Sequence, residues 1–137
     1  MKKIFIICSK AFYKDIPPIK EKLEKNGWEV FLPHTYGNPN AENEWHAKGK
    51  EEHAKMKGEM FRRSRDRIKL MDAVLTLNFD KNGKKNYVGG STFLELYEAF
   101  MENKKIYLWN EIPEGILFDE ISGFSPKIIN GNLDLVK

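Results

Sequence analysis

Residues 87–103 read YVGGSTFLELYEAFMEN, and the stretch changes character at one point from loop to helix. Gly89 and Gly90 break regular structure, and Ser91 or Thr92 can cap the helix that follows. From there Phe93, Leu96, Tyr97 and Phe100 recur at spacings of three and four, which places them on one helical face available for burial. Upstream, residues 73–77 (AVLTL) form a short apolar run of strand formers, and residues 105–109 (KIYLW) form another downstream. The succession of strand, glycine loop, helix and strand is the repeating unit of a parallel α/β sheet.

The flanking sequence extends the same alternation. Residues 3–8 predict a first strand buried on both faces, as in a parallel sheet, followed by a polar loop over 9–15. Pro17 and Pro18 suit the first turn of a helix whose core face is Ile16, Ile19 and Leu23, and Asn26-Gly27 ends it. Residues 28–32 give a second strand, and 33–40 a loop rich in Pro, Gly and Asn. Residues 41–71 read as a long helical region that Gly49 and Gly58 weaken, so a kink or a split is expected. A short helical turn over 117–121 and a last strand over 127–129 complete the pattern, ahead of 133–136. The expected architecture is a single α/β domain spanning 1–137: an open, parallel, five-stranded sheet in flavodoxin-like order with helices on both faces.

Composition narrows the function classes. The chain has 137 residues, a net charge of +3 and no apolar run near the roughly 20 residues that span a bilayer, so no membrane partner is expected. The basic start and the apolar residues 4–8 imitate a secretory leader, but Ser9 and Lys10 follow at once and a buried strand fits better. One cysteine cannot form an internal disulfide, which suits a cytoplasmic setting, and Cys8 reads as a small buried hydrophobe. Residues 46–69 carry nine Lys and Arg against four Asp and Glu, with Arg62, Arg63, Arg65 and Arg67 forming the basic patch. No aromatics interleave with those arginines, so a solvated helix face is favoured over a nucleic-acid surface. His46 and His53 are seven residues apart rather than the four of a helical zinc pair, and no metal set is completed.

Ligands of open parallel sheets bind beyond the carboxyl ends of the strands. That edge is expected to gather Ser9, Phe12 and Tyr13, the loop of His34 and Tyr36, then Asn78 and Asp80, and finally Gly89 to Glu95. Free amides and a partial positive charge at a helix N-terminus attract anions, and two glycines let a ligand approach the backbone. Gly89, Gly90, Ser91 and Thr92 therefore read either as a phosphate or sugar cradle or as a simple capped turn. Glu95 lies one turn farther in, and its angular position beside Glu98 and Glu102 leaves a solvated carboxylate as the competing reading.

The span from Asp72 to Leu108 resembles the nucleoside 2-deoxyribosyltransferase superfamily, in which an aspartate precedes the third strand and a D-x-G-T-x-x-E-L-G-Y-A segment leads to a further strand. Here Asp72 opens DAVLTLN, and GGSTFLELYEAFMENKKIYL supplies Ser91-Thr92, Glu95-Leu96 and Ala99 at matching spacing. The wording YVGGSTFLE, KKIYLWNEIPE and PKIINGNL is closer still to a small-protein branch of that superfamily. The chain departs from the pattern at Gly89, where the family has its aspartate, at Ser91 and at Tyr97. The resemblance implies cleavage of the N-glycosidic bond of 2′-deoxynucleosides or their 5′-monophosphates, without metal or redox cofactor. Glu95 would be the nucleophile, with Asp72 or Asp80 assisting the leaving base. A non-catalytic nucleotide-binding module of the same fold is the alternative. The resemblance also implies a homo-oligomer, and the helical region 41–71 is the expected contact.

Overall fold

Short β-branched and aromatic runs, each followed by helical periodicity, place five parallel strands in one sheet. The computed structural model describes all of residues 1–137: β1 (Lys2–Ile7), β2 (Trp28–Phe31), β3 (Ala73–Thr76), β4 (Lys105–Leu108) and β5 (Lys127–Ile128) pair in the order β2-β1-β3-β4-β5. This is the flavodoxin-like order. The strands end within a residue of the expected positions. Residues 133–136 hold only a 3-10 turn, Leu133–Leu135, whose Leu133 closes over the sheet. The expected polar loop after β1 is also a 3-10 turn, Lys10–Asp15, because Ser9 caps the Ala11 amide at 3.4 Å and Phe12 is buried.

The helices divide between the two faces. On one face α1 (Ile16–Lys25) packs Ile16, Ile19 and Leu23 with Ile4, Ile6 and Leu75. On the other lie α3 (Lys50–Lys69), α4 (Gly90–Met101) and α5 (Phe118–Gly123), which bury Ile68, Leu96 and Ile121 with Phe5, Ile7 and Leu108. The expected long helix is split into α2 (Ala41–Ala47) and α3 at Gly49, whose φ of 106° is left-handed and open to glycine at little cost. Gly58, by contrast, continues inside α3. No helix is long and apolar enough to cross a membrane.

Two sequence expectations for α4 change. Ser91 and Thr92 do not cap it: the helix starts at Gly90, Gly89 occupies the cap position, and no side chain caps the amides. The buried face is Thr92, Leu96 and Ala99, whereas Tyr97 and Phe100 are 46% and 42% exposed. The small residues Thr92 and Ala99 let α4 approach the sheet closely, so the face was not marked by its largest side chains.

Asn78, expected at a ligand, is instead fully buried and bonds backbone. Its amide donates to Asn110 O and Glu111 O at 3.0 Å each, and its Oδ1 accepts from Asn110 N at 2.8 Å. It ties the loop after β3 to the loop after β4. Asn78→Ala should cost about 1–3 kcal/mol, since three part-buried backbone groups lose a partner. Urea unfolding should show a lower midpoint at unchanged slope.

Candidate functional site

β1 sends its crossover to β2 on one side, and β3 sends its own to β4 on the other. The loops after β1 and β3 therefore part, and a cleft of about 230 Å³ opens between them. This is the switch point at which open α/β sheets hold ligands. The loop after β1 contributes Ser9 and Tyr13, and the β3 loop and first turn of α4 contribute Gly89, Gly90, Ser91 and Thr92. Glu95 forms part of the same wall.

The turn into α4 is rich in unpaired amides. The first residues of a helix have no intrahelical acceptor, and Gly89 has no side chain to substitute for one. A Cβ at Gly90 would meet nothing within 4 Å, so the backbone here is open to the cleft. At Gly89 a Cβ would lie 3.1 Å from the Tyr87 hydroxyl. A side chain at 89 would therefore need the Tyr87 ring to give by a few tenths of an ångström. The Lys81 ammonium lies 4.7 Å over the Tyr87 ring and donates to Ser9 Oγ at 3.2 Å, bridging the two loops.

Glu95 is half-buried, flanking the Thr92–Ala99 face of α4, so it is not one of the solvated carboxylates of the outer helix. Its carboxyl is enclosed, and burial raises its pKa from 4.5 to about 7 against the opposing pull of Ser64, Lys57 and Arg67. Ser64, on α3, is 3% exposed and faces Glu95 without an aligned hydrogen bond, leaving its Oγ unpartnered. Lys57 also holds an ion pair with Glu42 of α2. Burial would raise the Glu42 pKa, but the Lys57 hydrogen bond and charge outweigh it and keep Glu42 ionised. Arg67 donates to Leu32 O at 2.6 Å and lies over the Phe5 and Phe31 rings at 5.2 and 5.9 Å.

Other groups are held in one protonation state. Burial, with the Glu95 and Asp15 charges, pushes the Cys8 thiol to about 12, so it carries no thiolate. Burial likewise raises the Tyr13 phenol to about 12, despite its 2.7 Å hydrogen bond with Thr35. His34, in the wall, is lowered to about 4 by burial and by the Arg67 and Arg63 charges, and is neutral at pH 7.

Three sequence-selected residues lie elsewhere. Asp72 precedes β3 and accepts from the Lys3 amide at 2.8 Å, at the amino end of the strands. Four residues of strand, on the order of 13 Å, separate it from the cleft edge. Asp80 accepts from Asn86 N at 3.0 Å, and with Phe12 it lines a second, more open groove of about 710 Å³ over Phe79 and Trp109. Neither aspartate reaches the Glu95 cleft. Of the arginine patch, Arg67 turns inward, while Arg63 and Arg65 reach Glu59 and Asp66 at 4.0 and 3.4 Å.

Glu42, Lys57 and Ser64 escaped the sequence reading. A signal existed on α3, where Lys57, Met60, Ser64 and Ile68 fall at spacings of three and four. Polar residues in that otherwise apolar stripe mark where the buried face meets a site. No model of a known protein family matches the chain, and no curated protein matches it either.

The raised carboxyl makes a stability prediction with a definite sign. Glu95 binds its proton more tightly folded than unfolded, so its contribution to stability falls as pH rises from 4.5 to 7. The ionised carboxyl then costs on the order of 3 kcal/mol. Glu95→Gln should therefore stabilise the protein by about 2–3 kcal/mol at pH 8 and hardly at all at pH 4.5. Denaturant unfolding at the two pH values checks it.

Proposed function

We propose that the protein cleaves or transfers the N-glycosidic bond of 2′-deoxynucleosides or their 5′-monophosphates, with Glu95 as nucleophile. The observation that carries the reading is the desolvated Glu95 carboxyl beside an amide-rich helix start at the sheet's switch point. The resemblance over residues 72–108 supplies the reaction class. A Glu95 oxygen attacks the anomeric carbon as the bond to the base breaks, and the base departs with the electron pair and takes up a proton. Water or a second base then displaces Glu95 from the same carbon. The free amides of Gly90 and Ser91 are placed for a phosphate or sugar hydroxyl, and Lys10 and Lys57 supply cationic side chains in the wall. Glu42, held ionised, is suited to accept hydrogen bonds from a ligand rather than to protonate a leaving base. The chemistry calls on no metal or redox cofactor. The lone cysteine suits a cytoplasmic setting.

A second reading, a nucleotide-binding module without turnover, draws support from Gly89 and from the distance of Asp72 and Asp80, which leave no second uncommitted carboxylate beside Glu95. Incubation with a panel of 2′-deoxynucleosides and 5′-monophosphates, with and without an acceptor base, separates the two by chromatography of released base. Turnover by the native chain that falls at least about 10³-fold in Glu95→Ala supports the glycosidic reading. Nucleotide binding by calorimetry, with no base released anywhere in the panel, supports the module.

Where turnover occurs, kcat/KM should rise with pH and level off above about 7, as Glu95 ionises. Lys57→Met removes a charge that favours the anion and should move that rise upward. A profile flat through neutrality would contradict a nucleophilic Glu95.

A further inference from the structure

The loop after β1 separates two cavities on the carboxyl edge of the sheet. Phe12 lines the groove of about 710 Å³ on the α1 side, and Tyr13, next in the same 3-10 turn, lines the Glu95 cleft of about 230 Å³. Small-molecule sites occupy about 300–1,000 Å³. The cleft is thus short of room for a whole nucleotide, whereas the groove has the size of a site and no part in the proposed reaction. Lys81 lines both, so the two cavities meet at one side chain.

The groove offers a platform for a flat ring. Phe79, beyond β3, stands edge-to-face with Phe12 at 5.2 Å and with Trp109 at 5.4 Å. Phe79 and Trp109 are half-buried, so each keeps a surface open to the groove. The backbone at Gly131 closes on the indole, since a Cβ there would lie 3.4 Å from it. Bases stack on exposed aromatic rings of this kind whatever their identity. Asp15, Asp80 and Asn82 stand in the same wall, as partners for the amine and hydroxyl hydrogens of a base and its sugar. One Asp80 oxygen is already held by the Asn86 amide.

Charge collects where the cavities meet. Lys81 and Lys84 form an antiparallel bridge around Asn82-Gly83, exchanging two backbone hydrogen bonds of 2.9 Å. Bridge partners send their side chains to the same face, where two like charges repel. Both ammoniums turn onto the Tyr87 ring, at 4.7 and 5.8 Å, and Lys81 also donates to Ser9 Oγ. Neither pairs with a carboxylate of the chain. The ring offsets only part of that repulsion, and an anion at this neck would neutralise both charges. We propose that the ligand is a dinucleotide: one nucleotide enters the Glu95 cleft, the Lys81–Lys84 turn holds the phosphate linkage, and the second base lies on Phe79 and Trp109. The inference rests on the nucleotide reading of the cleft, and it uses no group assigned to bond cleavage.

Calorimetric titration of the full chain carrying Glu95→Gln, which keeps the shape of the carboxyl while preventing turnover, tests it. The probes are 2′-deoxyadenosine 5′-monophosphate, the phosphodiester-linked dinucleotide of two 2′-deoxyadenosines, and a pyrophosphate-linked diadenosine. At least one dinucleotide should bind about tenfold or more tighter than the mononucleotide, and the one that gains more identifies the linkage. Lys84→Glu, and separately Trp109→Leu, should bring the ratio of dinucleotide to mononucleotide affinity close to one. Lys84 is exposed, so its variant keeps the test usable if Trp109→Leu fails to fold. Lys85→Glu, next in the loop but outside both cavities and away from Tyr87, should leave the ratio unchanged. No gain for either dinucleotide, or a gain that Lys84→Glu leaves intact, overturns the inference, as does a gain that Lys85→Glu removes equally well. Base release by the native chain is scored separately. Release from mononucleotides without a dinucleotide gain overturns the groove and leaves the glycosidic reading standing, and a gain without release does the reverse.

Discussion

The opposite crossovers of β1 and β3 are the constraint from which the rest of this structure follows. Parallel neighbours must be joined by connections that pass over a face of the sheet, and right-handed crossovers decide which face. Moving from β1 outward to β2 places α1 on one face; moving from β3 outward to β4 places α4 on the other. The two loops leaving β1 and β3 must then part, and α2 and α3, which carry the chain from β2 back to β3, flank the opening. The cleft is a consequence of topology, and the side chains only furnish it.

Furnishing it is costly where Glu95 stands. A carboxylate on a helix packed against a sheet would ordinarily turn to solvent, but the close approach allowed by Thr92 and Ala99 brings the flank of α4 against α3. Glu95 is then desolvated, and Ser64, Lys57 and Arg67 recover part of the loss without restoring an ordinary pKa. Lys57 is shared with Glu42, so its charge is divided between two carboxylates. Burial that is only partly compensated is a feature of sites rather than of cores.

The sheet was readable in the sequence because each parallel strand is buried on both faces and writes itself as an apolar run: residues 4–7 and 73–77 needed no partner to be recognised. A break in the long helix was likewise readable, because glycine weakens a helix, but the choice between Gly49, with a φ of 106°, and Gly58, which stays helical, was not. The site was readable only where one short segment supplies it, as from Gly89 to Glu95. Glu42, Lys57 and Ser64 come from α2 and α3, whose placement over the cleft depends on packing across 30 or more residues of chain. The loop bonds of Asn78 and Asp80 were not legible for a different reason. Polar residues after a strand serve ligands and loop hydrogen bonds equally well, and only the partners Asn110, Glu111 and Asn86 reveal which. The face of α4 misled because large side chains mark hydrophobicity without saying which side of a helix carries the sheet.

Within the cleft, protonation is distributed in a way that singles out one group. Burial keeps Cys8 and Tyr13 protonated at neutral pH and His34 unprotonated, while Lys57 keeps Glu42 ionised. Those four are fixed, and Glu95, near 7, is the perturbed group whose charge responds to what enters. A bound anion would raise its pKa further, whereas a developing positive charge on a sugar ring would lower it. In the proposed reaction, the carboxyl that burial makes costly would be stabilised by an oxocarbenium-like centre, so the interaction would strengthen as the reaction proceeds rather than on binding. That differential is what the proposed nucleophilic carboxylate would require, and burial between α3 and α4, rather than a second acid, is what would supply it.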